Sequence, residues 1–247
     1  MKTIGLIGGM SWESSAEYYR LINEAVKGQL GGLHSARSLM FSVDFAEVEE
    51  LQRSGRWDTA AAALAEVACR LERGGADFVV LCTNTMHRVA DEISAQIEIP
   101  LLHIADATAE VMRESGVTTT GLLGTRYTME QDFYRGRLSE RHGFEVLVPD
   151  AEERELVHRV IYEELVLGRV DNGSREAYRE IIARLVDRGA QAIILGCTEI
   201  GLLIGEGDAT VPLYDTTRIH AEKAVELALS PATATGLDGS SIAQPQA

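Results

Sequence analysis

The sequence predicts an α/β protein whose mostly parallel sheets are covered by helices on both sides, arranged as two related halves. Two observations carry this. Apolar runs of strand length alternate with longer segments of helical periodicity along the whole chain. Three landmarks also recur. IGLIGG at 4–9 resembles TGLLGT at 120–125, FVVLCTNT at 78–85 resembles AIILGCTE at 192–199, and PLLHIAD at 100–106 loosely echoes PLYD at 212–215. Gly8 and Gly124 lie 116 positions apart, and Thr83 and Cys197 lie 114 apart, so one unit is used twice.

In order, TIGLIGG (3–9) reads as the first strand, followed by a helix from Ser11 with Tyr18, Leu21, Ile22 and Ala25 on one face. SLMFSVDF (38–45) is a strand, LQRSGRW a loop carrying Arg53, Asp58–Arg73 a helix and ADFVVLC (76–82) a strand. Loop and helix cover Thr83–Ile97, a short strand Pro100–Ile104, and a helix Asp106–Glu114. The second half runs TTTGLLGT (118–125) as strand, a helix from about Met129 to Arg141, and FEVLVPD (144–150) as strand. Helices over 152–167 and 174–188, strands AQAIILG (190–196) and VPLYD (211–215), and a helix Thr217–Leu229 follow. The tail, 231–247, lacks aromatics and charge pattern and is expected to be disordered.

Composition excludes several functions. The 247 residues carry a formal net charge of −15, which argues against nucleic-acid or anionic-membrane partners. No stretch reaches the ~18 consecutive apolar residues of a membrane span, and MKTIGLIGGMSWESS runs into glycines and acids too early for a signal peptide. The three cysteines, 69, 82 and 197, have no CxxC spacing, so neither a disulfide framework nor a metal knuckle is expected and reduced cytoplasm is the default. Lysine occurs at positions 2, 27 and 223 only, poor places from which to hold pyridoxal phosphate, so cofactor-free chemistry is expected.

Ligands of parallel α/β sheets sit beyond the carboxyl ends of the strands. GGMSWESS (with Met10, Ser11 and Trp12), LCTNTMH, LGCTEIG and GTRYTMEQD occupy such places. Their hydroxyls, amides and helix-end N–H groups suit a small polar anion. No GxGxxG, GxxxxGK, GxSxG or HExxH pattern occurs, so nucleotide, hydrolase and metal readings are set aside. Cys69, within a helix pattern, reads as a buried hydrophobe; Cys197, between Gly196 and Thr198 at a strand end, reads as functional. For Cys82 one position decides which side of the strand it faces.

The segments IGLIGGMSWESSAEYY, VLCTNTMH, LLGTRYTMEQDFYRGRL and LGCTEIGLL, spanning about residues 1–230, resemble the aspartate/glutamate racemase superfamily, closest to its broad-specificity amino-acid racemases. The resemblance implies two pseudo-symmetric three-layer α/β/α domains with an interdomain cleft, no cofactor, an amino-acid substrate and commonly a homodimer. It implies a first domain of 1–98 plus 208–230 carrying Thr83, with the last strand and helix returning to it, and a second domain of 99–207 carrying Cys197. Such racemases usually place one cysteine directly before Asn-Thr-x-His and another within Gly-Cys-Thr-Glu. The matching positions are Thr83 and Cys197, so one thiol is replaced by a hydroxyl and Cys82 is displaced by one toward the sheet core. Asn84, Thr85, Thr125 and Thr198 are the expected carboxylate donors, Glu199 a partner of the Cys197 thiolate, and Arg126 and Arg53 the arginines available for a substrate side chain. Two rival readings stand beside this. One is a related one-thiol enzyme, a hydantoin racemase or malonate decarboxylase; the other is a catalytically weak amino-acid-binding protein.

Overall fold

The computed structural model describes residues 1–231. The first half contains β1 (Ile4–Gly8), α1 (Trp12–Leu30), β2 (Ser38–Ser42), α2 (Phe45–Arg53), α3 (Trp57–Arg73), β3 (Phe78–Leu81), α4 (Ala90–Ser94) and β4 (Leu101–Leu102). The second contains α5 (Ile104–Glu114), β5 (Thr119–Gly124), α6 (Arg126–Glu130), β6 (Glu145–Leu147), α7 (Ala151–Glu163), α8 (Asn172–Asp187), β7 (Ile193–Gly196), α9 (Ile200–Leu203), β8 (Leu213–Asp215) and α10 (Thr216–Leu229). The tail expected to be disordered lies outside the described residues, Pro231 excepted.

Two four-stranded parallel sheets form, in the orders β2-β1-β3-β4 and β6-β5-β7-β8. The orders are the same under the replacement of β1–β4 by β5–β8, which is the internal repeat expressed as strand pairing. The first sheet shows the period of two directly. Ile4, Leu6, Phe78 and Val80 face α1 and α10, while Ile7, Val79 and Leu81 face α2 and α3. Cys82 continues the Phe78–Val80 parity and is fully buried on the α1/α10 side. A separate core around Leu122, Leu123, Ile193 and Ile194 holds α5, α7 and α8 against the second sheet.

The expected domain limits need correction. Residues 101–102, assigned to the second domain, pair with β3 in the first sheet, and 213–215, assigned to the first, pair with β7 in the second. Each sheet completes its own edge with the strand that the PLLHIAD/PLYD echo matches. Among the described elements α10 crosses back, burying Ala221, Ala224 and Val225 with Tyr18 and Leu21 of the first half. Two elements also differ. FAEVEELQR, of which Phe45 is expected to end a strand and Leu51–Arg53 to lie in a loop, is helical throughout, started by Asp44, whose carboxylate accepts from the N–H of Ala46. The helix expected at 129–141 is broken into α6 and a π-helical turn at Arg137–Arg141.

Candidate active site

Four strand ends meet between the halves. After β1 the chain turns at Gly9, whose φ of +93° and approach to the Val43 carbonyl, 2.2 Å from an ideal Cβ, admit only glycine. Ser11 then caps α1, accepting from the N–H of Ser14. After β3 come Thr83, Asn84 and Thr85; after β5, Thr125 caps α6; after β7 come Cys197, Thr198 and Glu199. Met10, Ser11, Thr83, Asn84, Thr85, Thr125, Cys197, Thr198 and Glu199 all line one small space of about 30 Å³, room for about one water.

The two halves are tied across this space by hydroxyls. Thr85 Oγ1 and Thr125 Oγ1 are 3.0 Å apart. Asn84 donates from Nδ2 to Thr216 Oγ1, which donates to the Leu195 carbonyl, while Asn84 Oδ1 is buried without a partner among the described residues. The Cys197 thiol donates to Glu199 Oε2 at 2.9 Å, and Glu199 Oε1 accepts from Ser11 Oγ at 3.1 Å and Ser14 Oγ at 3.0 Å. Burial, then the neighbouring Glu199 charge, push the Cys197 thiol well above the ordinary thiol range, against the Glu199 and Thr198 N–H groups, which lower it. Burial alone does the same to Cys82, whose thiol lies among apolar side chains with a long contact of 3.9 Å to the Val80 carbonyl. Thr83 is half-buried in the same space as Cys197.

His87, His103 and His220 pack together behind the β3 loop, with ring centroids 4.6 and 5.7 Å apart. His87 donates from Nδ1 to the Thr83 carbonyl and accepts on Nε2 from the Ile104 N–H. Both nitrogens are therefore occupied, and the ring holds the Thr83 backbone in place. Burial keeps all three rings neutral.

Three expected residues are not brought in. Trp12 is 68% exposed on the outer side of α1. Arg53 ends α2 facing solvent, paired with Glu50 and 3.9 Å from Glu49. Arg126 is exposed, its guanidinium 5.6 Å from the Tyr127 ring centroid. No arginine or lysine among the described residues lines the space. Sequence reading missed Ser14, Phe45, Gln52, Ile161, Tyr162 and Val166, which complete the lining. Ser14 lies one turn beyond Ser11 and was within reach of that spacing; the others come from helices and turns carrying no motif. No described group of His, Cys, Asp and Glu is placed to hold a metal ion.

The Asp/Glu/hydantoin racemase family profile matches residues 7–224. A candidate Asp/Glu racemase from Yersinia pestis is 58% identical, covering 93% of this chain and 100% of its own, with a TM-score of 0.89. An aspartate racemase homologue from Pyrococcus horikoshii is 37% identical, covering 92% and 99%, with a TM-score of 0.81. The broad specificity amino-acid racemase RacX of Bacillus subtilis is 24% identical over 68% of this chain and 72% of its own. The repeated sheet order, the strand-end site and these likenesses agree: the chain belongs to the Asp/Glu/hydantoin racemase family, isomerases that work without pyridoxal phosphate.

Proposed function

We propose that the protein interconverts L- and D-amino acids, aspartate and glutamate or a broader set, with Cys197 and Thr83 on opposite faces of the α-carbon. One observation carries this reading: the two residues follow equivalent strands, β7 and β3, and line the same interdomain space, whereas Cys82 is sealed in the core. Cys197 takes the α-proton of the L-enantiomer, and Thr83, or water beside it, returns a proton from the other side. The unpartnered Asn84 Oδ1 suits the substrate ammonium, and the hydroxyls of Thr85, Thr125 and Thr198 suit the carboxylate on which carbanion charge develops. A lining without cations supports a broad side-chain range over strict aspartate recognition. Because about 30 Å³ is far too little for an amino acid, the halves part at the Thr85–Thr125 and Glu199–Ser11/Ser14 contacts to admit it.

A threonine hydroxyl is a much weaker acid than a thiol, so turnover is slow and unequal between enantiomers, with Michaelis constants that compensate to keep the equilibrium racemic. The assay is an amino-acid panel in D2O, reading α-proton loss by NMR. Exchange vanishes in Cys197→Ser and becomes more even between enantiomers in Thr83→Cys. Exchange surviving the loss of Cys197, or equal and efficient turnover of both enantiomers by the parent, refutes the assignment. Binding without exchange would leave the amino-acid-binding reading in its place. The exposed Trp12, Tyr19 and Met40 beside edge strand β2 support a homodimer, which light scattering tests. Three free thiols suit the reducing cytoplasm. No described helix is long and apolar enough to cross a membrane.

A further inference from the structure

Two elements face each other across the halves beside the inner space. A tight helical turn, Thr85–Val89, follows the β3 loop in the first half, and α6 follows β5 in the second. At their buried ends Thr85 meets Thr125, a pair that parts to admit an amino acid. Toward solvent the same two elements meet again. Arg88 donates from its guanidinium to Gln131 Oε1, just beyond α6. That guanidinium also lies 4.3 Å from the Trp57 ring centroid, and the Trp57 ring meets Tyr127 of α6 edge-on, with centroids 5.5 Å apart. A row of rings leads back inward. Tyr127 lies 6.1 Å from His158, and His158 lies 4.8 Å from Tyr162, which lines the inner space and donates to Gln52 Oε1 of the first half at 3.4 Å. Resting on the reading that the amino acid binds between Cys197 and Thr83, we propose that Trp57 and Arg88 of the first half and Tyr127 and Gln131 of the second form the gate through which substrate enters and product leaves.

None of the four lines the inner space, so they act on the reaction through the opening and not at the reacting atoms. The chain passes between the halves at 102–104 and 215–216, whereas the four residues belong to α3, the Thr85–Val89 turn, α6 and the residue after it. The gate contacts are non-covalent and of a kind that breaks at modest cost. An edge-on aromatic pair or one side-chain hydrogen bond shifts an open–closed equilibrium about fivefold. All four side chains are partly exposed, so water takes over the contacts that opening removes. The Glu199 contacts with Ser11 and Ser14 also cross between the halves, but they hold a buried carboxylate and yield less readily, so the gate side opens first. Parting Thr85 from Thr125 requires the gate to part with it, because both contacts join the same turn to the same helix end.

The test uses the full-length protein with Cys69→Ser as background, so that Cys197 is left beside the buried Cys82. Iodoacetamide does not fit a space of about 30 Å³, so its rate of attack on Cys197 measures opening. In Gln131→Ala and in Tyr127→Ala, alkylation should quicken about fivefold. The factor should be the same at every pH, because the gate changes access and not thiol acidity. Adding Gln131→Ala to Arg88→Ala should bring no further increase, since the two residues share one contact. With L-aspartate or L-glutamate, whichever exchanges faster in D2O, KM should rise about fivefold while exchange at saturation stays within about twofold of the parent. Alkylation unchanged in both Gln131→Ala and Tyr127→Ala overturns the gate. So does a fall in saturating exchange with KM unmoved, which marks residues that merely support the site. If Cys197→Ser keeps exchange while the gate variants quicken alkylation, the reacting sulfur is misassigned and the gate stands. If Cys197→Ser abolishes exchange and those variants leave alkylation unmoved, the gate alone fails.

Discussion

Acidification tests the packing behind Thr83. His220 donates from Nε2 to the Leu102 carbonyl and accepts on Nδ1 from Tyr18 Oη at 2.8 Å; His103 accepts on Nδ1 from the Ala105 N–H, and His87 on Nε2 from Ile104. Each ring needs a lone pair where protonation would place a hydrogen. Burial, reinforced at His103 by the charge of Arg137, lowers its pKa to about 3, and burial lowers that of His220 to about 4. In the unfolded chain both titrate near 6.5. Histidines neutral in the folded state and protonated in the unfolded one contribute stability that is complete above pH ~6.5 and is lost as pH falls toward the native values. Between pH 6.5 and 5 each costs about 1.5 kcal/mol, the slope rising toward about 1.4 kcal/mol per pH unit as the unfolded ring fills with its proton, so the two remove about 3 kcal/mol. His87 acts in the same direction. That is a large share of the ~5–15 kcal/mol of a typical domain.

Urea unfolding at a series of pH values between 7 and 5 measures this. Relief of repulsion in an acidic protein of formal charge −15 acts the other way, so the comparison that decides is with a variant. His103→Gln removes one titrating ring, and its slope of stability against pH should be shallower than the parent's by about 1.4 kcal/mol per unit below pH 6. The slope, not the absolute stability, is the readout, since the variant also loses packing. Identical slopes would mean that His103 takes up its proton in the folded state and that the neutral-cluster argument is wrong.

Leu123→Ala, at a fully buried position of β5, should cost about 2–5 kcal/mol in urea unfolding. Gly9→Ala must force a Cβ against the Val43 carbonyl at positive φ, so it should cost more than about 1 kcal/mol and slow turnover, because Met10 and Ser11 follow directly. Thr85→Val removes the hydroxyl that faces Thr125; the amino-acid KM should rise about tenfold, the equivalent of one hydrogen bond of about 1.4 kcal/mol, with the circular dichroism spectrum unchanged.

Much of the fold was legible because periodicity reports burial. The recurrence of IGLIGG, FVVLCTNT and PLLHIAD translated into equivalent strands, β1 with β5, β3 with β7 and β4 with β8. The weakest of these echoes proved sounder than the domain limits drawn by analogy, since a strand edge is satisfied by its neighbour in the sheet. What sequence reading lost was α2, whose polar, acid-rich face carries little apolar signal and whose start depends on the Asp44 cap.

At the site, the errors are mostly of one residue. Gln52 lines the space and is buried while Arg53 faces solvent; Thr125 turns inward and Arg126 outward; Ser11 and Ser14 meet Glu199 while Trp12 between them is exposed. Cys82 and Thr83 part in the same way, one into the α1/α10 core and one into the space between the halves. The sequence alone determined the alternation of strands and helices, the repeat, and which four strand ends carry reactive or hydrogen-bonding groups. Only the tertiary structure decided which neighbour at each end faces the space between the halves. The reason is geometric: one residue step reverses a side chain on a strand and turns it by about 100° on a helix, and packing against the other half selects between them.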